Sequence, residues 1–319
     1  MQRVVADVSP RRFPYNRALL PSASDTRAPL TPMKIMATNP RFVGVTGLPR
    51  AGSTLLCQLL AQHPEIHCEG NSSPLCNLLI GMRHMVSDDT FFLSQLDQTF
   101  DRSYGHLTSA MQGFLHGWHH DCERPVVVDK NRAWLHAVEM LLHLEPNAKL
   151  IVCVRELGQI YGSIEAQHQR TILIDFPDHL ADYDRFGRAD MLFAKDKVIG
   201  IPLASLHAVT DLPKAVQKCL YFLRFEDLMA RPADCMSHIY QWLGVSPLRI
   251  DPEAISTGIQ ESDSHFRMKY LHTQHARIAP PTHHDIAPRI QARIESAYAW
   301  FYQLYYPNRL APQAATPAR

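Results

Sequence analysis

The run Phe42-Val43-Gly44-Val45-Thr46-Gly47-Leu48-Pro49-Arg50-Ala51-Gly52-Ser53-Thr54 constrains this chain more than any other stretch. It opens as a buried strand. It ends where Leu55, Leu56, Leu59 and Leu60 begin to recur at helical spacing. Strand, glycine-bearing loop and helix in that order gather backbone N–H groups and a helix N-terminus around one point, and such a point holds a phosphate-like anion. Further apolar runs over 126–128, 150–154 and 219–223 are short, apolar throughout and followed by helical patterns. Strands of that kind are covered on both faces. The expectation is therefore a three-layer α/β fold of P-loop-like architecture, with a central, mostly parallel sheet flanked by helices. Helices are predicted over 54–62, 75–86, 134–144, 158–169, 233–243 and 288–304. The stretches 87–124 and 170–215 carry few strand signals and are expected as helical or loop insertions over the active site.

The loop has nearly the spacing of a nucleotide-binding P-loop, with glycines at 47 and 52 and Thr54 at its end. The P-loop lysine is absent: Ser53 stands in its place, and the loop's cation is Arg50. Such a loop is expected to hold an oxyanion, but not as an ATPase does. Ligands of open α/β sheets sit at the carboxyl ends of the strands. The residues expected there are Arg50, then Asp129-Lys130-Asn131-Arg132, then Arg155-Glu156, then Arg224-Phe225-Glu226-Asp227. A basic residue after each of four strands predicts a strongly anionic ligand.

The chain has 319 residues, 46% hydrophobic and 20% charged, which suits a globular protein. A formal net charge of +1 gives no sign of nucleic-acid binding. Seven cysteines form no CxxC pair, which argues for a reducing, cytoplasmic compartment. No apolar run is long enough to span a membrane. Residues 1–40 lack the apolar core of a signal peptide and read as a disordered tail, or as the result of a start codon assigned too early, since Met33 or Met36 would open a compact domain. The domain is expected over 41–306, with a flexible tail over 307–319. His116 and His120 share a helical face, but no acidic partner completes a zinc signature, so no metal is expected. Met82 and Met85 share a stripe with Leu75, Leu78 and Leu79 that reads as core.

Three segments carry a family resemblance. Leu48-Pro49-Arg50-Ala51-Gly52-Ser53-Thr54-Leu55-Leu56 resembles the 5′-phosphosulfate-binding loop of sulfotransferases, which use 3′-phosphoadenosine 5′-phosphosulfate (PAPS). The segment from Val152 to Ile164, with Arg155 ending a strand and Ser163 eight residues on, resembles their 3′-phosphate motif. Leu223-Arg224-Phe225-Glu226-Asp227-Leu228, followed by the segment from Ile239 to Val245, resembles a late strand and helix of the same family. The likeness covers about 41–305. The run Gln62-His63-Pro64-Glu65-Ile66-His67-Cys68, and Lys130 before Asn131-Arg132-Ala133-Trp134, are most similar to the tyrosylprotein sulfotransferase branch and its bacterial relatives.

The resemblance implies a PAPS-dependent sulfotransferase acting on a hydroxyl. The loop residues Arg50, Ala51, Gly52, Ser53 and Thr54 would bind the 5′-phosphosulfate, with Arg50 also neutralising charge during transfer. Arg155 and Ser163 would bind the 3′-phosphate, and Lys130 would donate to the bridging oxygen. Phe225, where the tyrosine branch has tyrosine, would lie near adenine. The family's catalytic glutamate counts onto Asn71, so the base is expected to be Glu69, with His67 second. The segment 269–277, with Lys269, His272, Thr273 and Arg277, falls where the family closes a loop over the donor. The acceptor stays open between an acidic tyrosine-containing peptide, whose groove Arg83, Arg132, Arg170 and Arg185 would line, and a sugar, lipid or phenol. A homodimer is likewise open. A nucleotide kinase or other P-loop NTPase is disfavoured by the missing lysine at 53 and by the Arg155…Ser163 pair. A non-catalytic nucleotide-binding module is disfavoured by Arg50 and Lys130.

Overall fold

The computed structural model describes residues 39–175, 179–253, 255, 276–278 and 280–310. Most of the two expected tails, 1–38 and 311–319, lies outside the described residues, as do Lys269, His272 and Thr273 of the expected closing loop.

The apolar runs become strands of one sheet. Among the described residues it comprises β1 (Arg41–Gly47), β2 (Ile66–Ser72), β3 (Val126–Lys130), β4 (Lys149–Val154) and β5 (Leu220–Arg224). Their order is β2-β3-β1-β4-β5, and every neighbouring pair is parallel. β1 lies at the centre and is buried from Phe42 onward, which is why its run is apolar on both faces. Helix α1 (Ser53–Leu60) leads to β2, and α2 (Leu75–Asp88) and α3 (Thr90–Trp118) lead to β3. Helix α4 (Val138–Leu144) leads to β4. Between β4 and β5 come α5 (Leu157–Arg170), α6 (Arg185–Phe193), α7 (Gly200–Ala208) and α8 (Lys214–Gln217). After β5 come α9 (Phe225–Ala230), α10 (Pro232–Leu243), α11 (Pro288–Ala297), α12 (Ala299–Tyr305) and the short α13 (Pro307–Leu310). No helix among the described residues is long and apolar enough to cross a membrane.

Three local expectations are corrected and one strand is added. β2 was not foreseen, because Ile66-His67-Cys68-Glu69-Gly70-Asn71-Ser72 is a polar edge strand recruited by pairing with β3. The helix expected over 134–144 is a 3-10 turn, Arg132–Leu135, followed by α4; Asn131 caps the turn by accepting from the Ala133 N–H at 2.8 Å. The helix expected over 288–304 breaks at Tyr298, whose φ of −122° and ψ of 39° are not helical. Leu75 and Leu79 are core, but Leu78 and Met85 are 42% and 66% exposed, so the expected apolar stripe of α2 is only half buried.

This topology sets the site. From β1 the chain builds β2 and β3 on one side, then crosses to build β4 and β5 on the other. The crevice at that reversal, beyond the carboxyl end of β1, is where α/β sheets bind ligands. The end of β3 is pinned there by buried Trp134, whose indole N–H donates to Asp129 Oδ1 at 2.7 Å and whose ring packs edge-on against Phe42 at 5.2 Å. Thr46 of β1 completes the clasp: its hydroxyl donates to the Arg132 carbonyl at 2.9 Å and accepts from the Leu135 N–H at 3.2 Å. Lys130 therefore leaves β3 from a fixed position.

Candidate anion-binding site

The loop after β1 is shaped by two glycines. Gly47 has φ 121°, and a Cβ there would lie 2.1 Å from the Cys153 carbonyl oxygen, so the loop turns flush against β4. The Leu48 N–H donates to that carbonyl at 2.9 Å. Gly52 has φ 83°, and a Cβ there would lie 2.6 Å from the Phe225 ring. Gly52 caps α1 without a side-chain bond to the helix N-terminus, which leaves first-turn N–H groups for an anion.

Between the glycines, Arg50 holds a left-handed backbone with φ 58°. For a side-chain-bearing residue that conformation costs about 1–2 kcal/mol, and it persists where the surroundings fix it. Arg155 Nη1 donates to the Arg50 carbonyl at 2.9 Å, and Arg50 Nε donates to Ser163 Oγ at 3.2 Å. The loop, the end of β4 and α5 are thus joined through the residues expected to bind two different phosphates. Lys130 is buried and donates to Thr54 Oγ1 at 3.2 Å, which brings the β3 cation to the loop.

Arg155 is buried and its guanidinium lies 4.5 Å from the Phe225 ring centroid. Burial lowers its pKa, Glu226 opposes that change, and the Arg50 charge adds to it. Its Nε is buried with no hydrogen-bond partner among the described residues. A buried donor without a partner is rare in a folded protein and fits a site that receives an anion.

Several of these residues, though neither Gly47 nor Lys130, line a cavity of about 520 Å³, within the range of nucleotide-sized ligand sites. Arg50, Gly52, Ser53, Thr54, Arg155, Ser163 and Phe225 all face it. Arg170, Arg277 and His284 face it too, and no carboxylate does among the described lining residues. The cations, the glycine cradle and the unpartnered Arg155 Nε suit a ligand with more than one phosphate-like group.

Other expected residues are placed differently. Arg224 forks onto Asp227, with both bonds at 2.7 Å, and donates to the Tyr305 carbonyl at 3.1 Å, so it braces β5 against α12. Glu69 is exposed, lies 3.8 Å from His67 Nε2, and does not line the cavity. The register of β2 shifts between Cys68 and Ser72, and Ser72 then pairs with Lys130. The Ser73 N–H donates to the Lys130 carbonyl at 2.8 Å, so the end of β2 is fastened beside that lysine. Arg185 donates to the Asp285 carbonyl at 3.0 Å, while Arg170 lines the cavity itself. His116 lies 3.0 Å from Glu145.

Sequence reasoning missed most of the wall formed by Arg277, Ile278, Pro280, Pro281, Thr282 and His284. A signal for it exists in α5. Gly158 and Gly162 lie four residues apart on one helix face, against Gln291 and against His284 with Ile286.

A parallel sheet with a glycine anion loop beyond its central strand defines a P-loop-like α/β binding protein. The sequence model described as "Sulfotransferase family" matches residues 42–248, and the chain belongs to that family. It is similar to protein-tyrosine sulfotransferase 1 of Mus musculus, 32% identical over 121 residues, covering 36% of this chain and 30% of the relative. The Danio rerio protein-tyrosine sulfotransferase 1 is 26% identical over 212 residues, covering 64% of this chain and 52% of the relative. The chain thus matches between about a third and about a half of the length of these curated relatives. Among solved structures it is similar to the sulfotransferase domain of the Synechococcus PCC 7002 olefin synthase, with a TM-score of 0.45 and 19% identity, covering 82% of this chain and 96% of that one.

Proposed function

We propose that the protein transfers a sulfuryl group from PAPS to an acceptor hydroxyl. The observation that carries this reading is the Arg155–Arg50–Ser163 linkage at the wall of a cavity rich in arginine. A P-loop NTPase carries a lysine in the loop and needs no arginine–serine pair for a 3′-phosphate. Here Ser53 takes the lysine's position, and Lys130 arrives at Thr54 from β3.

The donor supplies an activated sulfuryl group, whose S–O bond to phosphate breaks as the acceptor O–S bond forms. The work left to the protein is positioning and charge stabilisation. The N–H groups of the loop and first turn of α1, with Ser53 and Thr54, hold the phosphosulfate, and Arg50 neutralises it. Lys130 donates to the oxygen that leaves with the phosphate. Arg155 and Ser163 hold the 3′-phosphate, for which the guanidinium fork is suited. Phe225 stacks beside Arg155 on the adenine side. Glu69 takes the acceptor proton, with His67 beside it. The acceptor is a tyrosine in an acidic peptide, by likeness to the tyrosine-directed relatives. The seven free thiols suit a reducing, cytoplasmic setting.

Incubation with radiolabelled PAPS and an acidic tyrosine peptide tests this reading, with a simple phenol and a sugar as parallel acceptors. Label on the peptide that is lost with Lys130→Ala is the expected result. Label on the phenol or sugar alone would overturn the peptide acceptor. Phosphate transfer from ATP with no sulfate transfer would overturn the donor.

A further inference from the structure

His284 lines the same cavity as the anion loop, on a segment held in place by two independent devices. The Gln159 side chain clamps its backbone from both sides: Nε2 donates to the His284 carbonyl at 3.0 Å, and Oε1 accepts from the His284 N–H at 2.9 Å. Gly162 of α5 makes room for it, since a Cβ at 162 would lie 2.5 Å from both His284 Cβ and Ile286 Cδ1. A glycine inside a helix is unfavourable relative to alanine, so this close approach has a cost that the contact offsets. Ser163, the expected 3′-phosphate ligand, is the next residue in α5.

The groups that act on the imidazole are nearly all cationic. Burial lowers its pKa first, and the charges of Arg155 at the end of β4, Arg50 in the loop, neighbouring His283 and Arg170 on α5 lower it further. Asp285, next in the chain, is exposed. The imidazole is therefore neutral near pH 7 until negative charge enters among those arginines. Incoming phosphate opposes the charge of those arginines and favours the imidazolium.

We propose that His284 is a further ligand of the phosphate held by Arg155 and Ser163, and that a proton enters the site with that phosphate. This rests on the PAPS reading of the cavity. It makes donor binding proton-linked and adds to the selectivity for a second phosphate group that Arg155 and Ser163 supply. No covalent step is involved: the imidazole takes a proton from solvent on binding and returns it on release.

Calorimetric titration with adenosine 3′,5′-bisphosphate, in two buffers of different ionisation heat, tests the proposal in the full chain. Above about pH 7 a phosphate with a second pKa near 6 carries few protons to release, so uptake by the protein dominates. The expected wild-type result is a net proton uptake and a dissociation constant that rises about threefold to tenfold per pH unit between about pH 7 and pH 8. His284→Gln should bind more weakly near pH 7, show no uptake and lose that pH dependence, while adenosine 5′-phosphate should show little uptake with either protein. Heats independent of buffer in the wild type, or equal uptake in the variant, would overturn the proposal. Ligand-free melting checks the variant's fold, and the wild-type titration decides the matter even if the variant is unstable. Failure of the bisphosphate to bind the wild type at all would instead remove the donor reading on which the proposal stands.

Discussion

Arg155 Nη1 donates to the backbone carbonyl of Arg50 at 2.9 Å, so the cation expected to bind one phosphate also fixes the loop expected to bind the other. Hydrogen bonds to charged groups contribute about 1.5–3 kcal/mol. Arg155→Ala should weaken adenosine 3′,5′-bisphosphate about 30-fold or more, and adenosine 5′-phosphosulfate by less, through the loosened loop alone. Competition binding with the two nucleotides reads the difference. Arg155→Lys should recover only part of it, because lysine keeps the charge but loses the fork.

Lys130 reaches the loop through Thr54 at 3.2 Å. Its proposed work lies in bond breaking, so Lys130→Ala should lower kcat by about 10²–10⁴-fold, with a much smaller change in KM for the donor. Steady-state kinetics with the preferred acceptor provide the check. A loss confined to KM would assign Lys130 to ground-state binding.

Glu69 stands exposed beside His67 on β2. Glu69→Gln is predicted to lower turnover by about 10²–10⁴-fold while bisphosphate affinity stays unchanged. His67→Gln made alongside it separates the two candidates, since the base is whichever substitution removes turnover at constant donor affinity.

Gly52 is constrained twice, by a φ of 83° and by the Phe225 ring 2.6 Å from any Cβ. Gly52→Ala should cost about 1–3 kcal/mol in stability and weaken donor binding. Phe225→Ala should relieve the steric part of that loss, which a double-mutant cycle in thermal unfolding measures. Gly47→Ala has no such relief, since its clash is with the Cys153 backbone.

The buried Glu156 gathers Tyr302 Oη at 2.6 Å, Gln291 at 3.0 Å, Arg309 at 2.6 Å and the Gln159 N–H at 2.7 Å. Burial alone would raise its pKa, but bonds from Tyr302 and Gln291 and the Arg309 charge outweigh burial and hold the carboxyl below its usual range. A carboxyl lowered by folding stabilises above its unfolded pKa, about 4.3, and loses that contribution as pH falls through the folded value. Glu156→Gln should therefore cost about 2 kcal/mol near neutral pH. The gap to wild type should close below about pH 4, as read by denaturant unfolding at several pH values.

The sheet and its anion loop were legible because β1, β3, β4 and β5 are apolar runs bounded by polar residues, and Gly47 and Gly52 bracket a single cation. β2 was not, because Glu69, Asn71 and Ser72 face water on an edge strand and carry no hydrophobic period. Arg224 looked equivalent to Arg155, yet Asp227 three residues on captures it. That pairing can be read from the sequence once Arg224 is known to open a helix. The wall carrying His284 has no periodicity, since Pro280, Pro281, Thr282 and His283 form neither helix nor strand. Its trace in the sequence is indirect: Gly162 marks the place on α5 against which it lies.

The proposed function requires a cavity that takes a nucleotide with a 3′-phosphate. Thermal unfolding with adenosine 3′,5′-bisphosphate, set against ATP with magnesium, tests that claim most directly. A ligand at about 100 times its dissociation constant adds about 2.7 kcal/mol of stability, enough to raise Tm by several degrees. That rise is expected with the bisphosphate, and little with ATP and magnesium, if the proposed function holds. Stabilisation by ATP and magnesium, with none by the bisphosphate, would contradict it.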